Sequence, residues 1–308
     1  MKIIFMGTPV FSLHVLKKII ADGHEIISIY TKQDQLSGRG QKKHQNLVKD
    51  FGVKHNIPVI QPKNFKSEID IKELKSWKAD LAVVAAYGIL LPKEILETFK
   101  FGCLNLHPSL LPKYRGPSPV SSAILNNDSE TGVSIMLLDQ GMDSGPILSQ
   151  EKHPILANET AGELTNRLFV EGSILMSNTI KEWVDGNISP IEQIHKHASF
   201  TKLFSKKDGE INWELPAEII VSKIRAFDPW PGSYTYSDQK LLKIISVSFE
   251  NDSNVDVGRI NFDQNISIGT KKGKIIVHKL QLEGKKVLNS ADFMRGNSSL
   301  NGKILGVR

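Results

Sequence analysis

The sequence predicts an α/β protein: a Rossmann-like, doubly wound and mainly parallel sheet, followed by a smaller β-rich domain. Three observations carry this prediction. Asp80–Tyr87 is almost uniformly apolar, as a central parallel strand buried on both faces must be. Short apolar runs alternate with amphipathic stretches through residues 1–185. After a segment with Gly, Pro, Ser and a Lys pair, residues 186–205, short strands recur between glycine-bearing turns, the pattern of a small barrel. The chain therefore reads as a first domain over 1–185, a linker over 186–205 and a second domain over 206–308.

Taken in order, Lys2–Met6 is a short buried strand, closed by Gly7-Thr8-Pro9. An amphipathic helix from Val10 to Ala21 ends at Gly23, and Glu25–Tyr30 is the second strand, completing an opening βαβ unit. No G-x-G-x-x-G occurs there, so no dinucleotide site is assigned. Thr31–Lys43 is polar and aperiodic, with two glycines around Arg39, and reads as a long exposed loop with a basic tip. It is either a solvated surface loop or a clamp for phosphate or nucleic acid. Helices over 45–55 and 67–77 flank the short strand Val59-Ile60. Gly102 leads into a strand over Cys103–His107. Residues 108–119 hold four prolines, which rules out a regular central strand or helix there. A short helix near Val120–Asn126, strands over 132–138 and 146–150, and a long helix over 159–184 complete the first domain. The second domain opens with a helix over 217–227, followed by strands over 243–248, 266–268 and 274–280.

Bulk composition narrows the function classes. Of 308 residues, 40% are hydrophobic and 23% charged, as in an ordinary soluble domain protein. The one cysteine, Cys103, excludes an internal disulfide and a multi-thiolate zinc site, and fits a reducing compartment. The apolar start, Lys2–Met6, is shorter than a signal peptide core, and no apolar run approaches the roughly 20 residues of a membrane helix. The expectation is a cytoplasmic protein. Charge is uneven: residues 1–185 carry 21 Lys+Arg against 20 Asp+Glu, while 186–308 carry 18 against 13. The basic excess suits a polyanionic partner, or simply solubilises a small domain.

The candidate chemistry lies at the end of the Cys103–His107 strand. Asn105 and His107 alternate, so both side chains project from one face where the chain leaves the sheet. Asp143 follows in a turn-rich loop between Gly141 and Gly145. An amide, an imidazole and a carboxylate can stabilise an oxyanion and handle protons without a metal. Each also has a structural reading: a hydrogen-bonded histidine at a strand end, an asparagine beside it, a turn-forming aspartate. A serine nucleophile at Ser109 is disfavoured because no G-x-S-x-G surrounds it.

Leu104-Asn-Leu-His-Pro-Ser-Leu-Leu-Pro112, with Arg115-Gly116 and Asp139-Gln-Gly-Met-Asp-Ser-Gly145, closely resembles the signature of the folate-dependent formyltransferase family. The likeness extends through Ile4–Pro9, Gly38-Arg-Gly40, Ala86-Tyr-Gly88, Ile211-Asn-Trp213 and Ile224–Gly232, and is similar to the branch of the family that acts on aminoacylated tRNA. The resemblance implies that Asn105, His107 and Asp143 are catalytic, and that Ser109, Leu110, Leu111 and Pro112 contact the folate. It implies 10-formyltetrahydrofolate as formyl donor, the α-amine of methionyl initiator tRNA as acceptor, and no metal. It places Arg39 against the tRNA acceptor stem. It makes the second domain an OB-like β-barrel with a basic face toward the tRNA, and the protein a monomer of translation initiation. The alternative acceptor is the amine of a nucleotide sugar or a ribonucleotide.

Overall fold

A computed structural model describes residues 1–34, 36–37, 42–43, 46–252 and 254–306. The chain forms two compact units. One comprises Met1–Pro119, Glu130–Pro154 and Thr165–Thr201; the other comprises Val120–Ser129, Ile155–Leu164 and Lys202–Arg308.

The elements of the first part of the chain are β1 (Lys2–Gly7), α1 (Leu13–Ala21), β2 (Glu25–Tyr30), β3 (Leu36–Ser37), β4 (Lys42–Lys43), α2 (Leu47–Lys54) and β5 (Val59–Ile60). There follow α3 (Glu68–Ser76), β6 (Leu81–Ala85), α4 (Lys93–Leu96), β7 (Cys103–His107), α5 (Pro119–Leu125), β8 (Glu130–Leu137), β9 (Ile147–Pro154) and α6 (Ala161–Val184). Seven strands make one sheet in the order β5-β2-β1-β6-β7-β8-β9. Pairing is parallel from β5 to β7. It turns antiparallel between β7 and β8 and between β8 and β9.

The reason is visible in the residues. Every residue of β6 and β7 is buried, as central strands covered on both faces require. Helices α2 and α3 start where Asn46 and Ser67 accept hydrogen bonds from Lys49 N and Ile69 N, satisfying free donors of the first turn. Helix α6 lies tight on the sheet at Gly172: a Cβ there would stand 2.7 Å from Leu106 Cδ1 and 3.0 Å from Val133 Cγ1. A larger residue would push the helix off β7, the strand that carries Asn105 and His107.

Two local expectations change. The segment Thr31–Lys43, read as one aperiodic loop, contains an antiparallel ladder pairing Leu36 with Lys43 and Ser37 with Lys42. Two residues per strand are too few to leave a period in the sequence. Asn46 Nδ2 ties the base of this hairpin down through Thr31 Oγ1 (3.0 Å) and Lys32 O (3.1 Å). Arg39, at the basic tip, lies outside the described residues. Strand β9 runs on to Pro154, past its expected end at Gln150, because an edge strand tolerates an exposed polar run such as Gln150-Glu-Lys152.

The other unit contains α7 (Ala217–Ala226), β10 (Ser233–Ser237), β11 (Lys240–Glu250), β12 (Ile260–Phe262), β13 (Ile266–Gly269), β14 (Lys274–Leu282), β15 (Leu288–Asn289) and α8 (Ser290–Gly296). Its sheet runs β10-β11-β14-β13-β12 with β15 beside β14, all pairs antiparallel. The long β11–β14 pair shifts register around Ser246, which bends the ribbon into an antiparallel half-barrel. Its core gathers Trp213, Ile220, Ile224, Leu242, Ile268 and Phe293. Among the described residues no helix is long and apolar enough to cross a membrane.

Candidate active site

Strand β7 ends at His107, at the carboxyl edge of the parallel part of the sheet, where open α/β sheets bind their ligands. Asn105 pairs in register with Met136 and His107 with Ser134, so the two side chains share a face. Both are buried, Asn105 at 8% exposure and His107 at 4%. Among the described residues the Asn105 side-chain amide has no hydrogen-bond partner, which leaves its donors for a ligand.

The imidazole is held from two directions. His107 Nε2 lies 2.9 Å from the Tyr114 carbonyl. A carbonyl only accepts, so Nε2 carries a hydrogen. Nδ1 faces Asp143 Oδ2 at 3.6 Å, and a proton taken up there gives an imidazolium directly opposite the carboxylate. The same Oδ2 accepts a hydrogen bond from Gly116 N at 2.8 Å. Asp143 has φ +46, a left-handed conformation that a non-glycine residue adopts only where its surroundings hold it. Gly145 lets the loop close: a Cβ there would stand 2.0 Å from the Leu137 carbonyl oxygen. Sequence reasoning put Asn105 and His107 on one face and left open whether Asp143 joins them; the fold sets the first two on one face of β7 and brings the Asp143 carboxylate to His107.

Ser109–Pro112 lies next to them, fastened to the sheet. Ser134 Oγ donates to Ser109 O (2.6 Å) and accepts from Leu111 N (3.1 Å) and Gln150 Nε2 (2.8 Å). Gln150 Nε2 also reaches Leu111 O at 3.0 Å. The Ser109 hydroxyl turns inward and donates to Lys113 O at 2.7 Å, with the residue fully buried. The hydroxyl thus fixes the shape of the turn, while the half-buried Leu110 and Pro112 offer apolar surface.

Several residues here escaped the sequence reading. Ser199 O accepts from Arg115 N (2.9 Å), Ser199 Oγ accepts from Tyr114 N (2.8 Å), and Thr201 N donates to Arg115 O (2.8 Å). Gln193 joins the Arg115 guanidinium to the Asp143 loop. All three lie in the span expected to be a linker, whose residues up to Thr201 group with the first unit. The one available signal was polar residues in a segment with no period, and that signal does not name their partners.

Among the described residues no three His, Cys, Asp or Glu cluster in a way that could hold a metal. A separate cavity of about 420 Å³ lies in the other unit, bordered by Asn127, Asn158, Glu218, Ser222 and Arg225 among others, and includes none of the three candidate catalytic residues.

Comparison with known proteins adds the family context. The model described as "Formyl transferase" matches residues 1–180, and "Formyl transferase, C-terminal domain" matches residues 204–298. A methionyl-tRNA formyltransferase of Lachnospira eligens is 37% identical over 314 residues, covering 99% of this chain and 100% of the relative. One from Clostridium acetobutylicum is 39% identical over 309 residues, covering 99% of each. Among solved structures, an N-formyltransferase from Helicobacter canadensis, in complex with folinic acid and dTDP-3-aminofucose, superposes with a TM-score of 0.67 at 23% identity. That match covers 90% of this chain and 98% of the other, and at this identity it shows a shared fold.

Proposed function

The chain belongs to the methionyl-tRNA formyltransferase family, and from that premise we propose that Asn105, His107 and Asp143 carry formyl transfer to the α-amine of methionyl initiator tRNA. The donor is a folate, 10-formyltetrahydrofolate, consumed as a substrate. The observation that carries the reading is His107 set between Tyr114 O and Asp143 Oδ2, at 2.9 and 3.6 Å, with the Asn105 amide on the same face of the strand.

The chemistry follows from the atoms. The neutral amine attacks the formyl carbon and a new C–N bond forms. Negative charge gathers on the formyl oxygen, where the Asn105 amide donates a hydrogen bond; such a preorganised donor is worth about 10²–10³ in turnover. The attacking nitrogen then sheds a proton and the folate nitrogen gains one as its bond to the formyl carbon breaks. His107 moves these protons, with Nδ1 facing Asp143 and the ring held by Tyr114 O. Leu110 and Pro112, beside the rigid Ser109 turn, contact the folate ring system. Among residues 186–308 the excess of 18 basic over 13 acidic side chains supports a tRNA contact in that part of the chain. Arg39 reaches the acceptor stem in this reading, so Arg39→Ala weakens use of tRNA rather than the chemistry.

The test is product analysis with charged initiator tRNA and 10-formyltetrahydrofolate, with a nucleotide-sugar amine run in parallel. The expected product is formylmethionyl-tRNA alone. Formylation of the sugar amine, with none of the tRNA, would overturn the assignment.

A further inference from the structure

Gln193 is distinctive because its side chain is saturated. Its Oε1 accepts from Arg115 Nε (3.0 Å) and from Arg115 Nη2 (2.7 Å). Its Nε2 donates to Asp143 O (2.9 Å) and to Gly145 O (2.7 Å). Two lone pairs and two hydrogens are thus all used, and the amide has only one workable orientation, since a flip would press its NH2 against the guanidinium. Gln193 is 5% exposed and Arg115 4%. Arg115 also donates from Nη2 to His195 Nδ1 at 3.2 Å.

The Asp143 loop needs such a hold. The backbone at Asp143 is left-handed, φ +46, and the two carbonyls that Gln193 grips bracket that turn. The carboxylate is gripped from the other side by Gly116 N, the residue next to Arg115. Arg115 and Gln193 therefore set the backbone donor and the backbone acceptors of the same loop through one buried pair.

We propose that Gln193 is a positioning residue for formyl transfer: braced by Arg115, its amide fixes the turn that points the Asp143 carboxylate at His107 Nδ1. This rests on the catalytic reading of His107 and Asp143. It assigns Gln193 a role through Asp143 and no contact with substrate.

The distinguishing variant is Gln193→Glu. It keeps an acceptor for Arg115 but turns a carboxylate oxygen toward two carbonyls, so the loop loses both donations. Steady-state formylation of methionyl-tRNA should show kcat reduced by about 10–100-fold, the scale of a misplacement of about 1 Å at a reacting group. KM for tRNA and for the formyl donor should stay at the parental values, while the thermal midpoint should fall, because two buried carbonyls lose their donors. Asp143→Asn and the double variant close a mutant cycle. Once Asp143 is neutralised, Gln193→Glu should cost nothing more, whereas an independent structural role would make the two losses multiply. Arg115→Met combined with Gln193→Leu removes both members of the pair without leaving an unpaired buried charge, and should give the same kcat loss in a folded protein. Parental kcat in Gln193→Glu, or multiplying losses in the cycle, would overturn the proposal. Parental kcat in Asp143→Asn would overturn the catalytic reading itself, and this proposal with it.

Discussion

Two loops meet at the His107 ring, and they are built differently. The loop over residues 108–116 is fastened to the sheet beneath it: Ser134 and Gln150, on β8 and β9, hold Ser109 and Leu111. It presents the Tyr114 carbonyl to His107 Nε2. Among the described residues the loop over residues 139–145 has no such side-chain fastening to the sheet. Asp139 closes it locally, accepting from Gly141 N (3.0 Å) and Ser144 Oγ (2.8 Å), and Gln193 grips it from a distant segment. It presents the Asp143 carboxylate to Nδ1. One side of the imidazole is thus held by the fold and the other by side chains recruited to the task. Damage to the first loop should appear in stability, and damage to the second in turnover.

The largest effect is expected where the loops meet. His107→Ala removes the group both hold, and should lower turnover by about 10²–10⁴, the range for a positioned acid or base. Formylation kinetics alongside circular dichroism check this; a folded variant with retained turnover would sink the site. Asp143→Asn keeps an oxygen for Gly116 N but removes the charge facing Nδ1. It should lose about 10²-fold in kcat, with an unchanged thermal midpoint.

The first loop should break the other way. Ser134→Ala strips partners from Ser109 O, Leu111 N and Gln150 Nε2 in a fully buried spot. Urea unfolding should show a loss of about 2–3 kcal/mol, the scale of unpaired buried backbone groups, while kcat per folded molecule stays close to the parent's. A large kcat loss at full stability would erase the distinction between the loops.

The same contrast explains what the sequence could disclose. Strand β6 was legible because a strand buried on both faces must be a continuous apolar run; β7 was legible from the apolar residues after Gly102, and Asn105 and His107 then share a face by alternation alone. The prolines of residues 108–119 correctly excluded regular structure up to Ser118, and helix α5 begins at the last of them, Pro119. Gln193 was not legible: its partners are a side chain at Arg115 and two carbonyls at Asp143 and Gly145, and carbonyls leave no mark in a residue pattern. The inward turn of the Ser109 hydroxyl was hidden for the same reason, since its acceptor is the Lys113 carbonyl.

The smallest effect tests whether reactivity belongs to the loops or to β7 itself. Cys103 opens the strand that His107 closes, and it is 1% exposed. Burial pushes its thiol from 9.0 up to about 12. A thiol so raised stays protonated and shielded, so a disulfide reagent at pH 8 should leave the native chain unmodified and titrate one thiol in denaturant. The sign of the pH effect follows. Between 9.0 and about 12 the unfolded chain ionises this thiol while the folded chain does not. Its contribution to stability is therefore complete below pH 9.0 and is lost as pH climbs toward about 12. Cys103→Ala should flatten that part of the alkaline unfolding curve and leave the rate of formyl transfer unchanged. Rapid labelling of the native chain would mean that the strand end opens on its own, and that burial along β7 is not what keeps the site's geometry fixed.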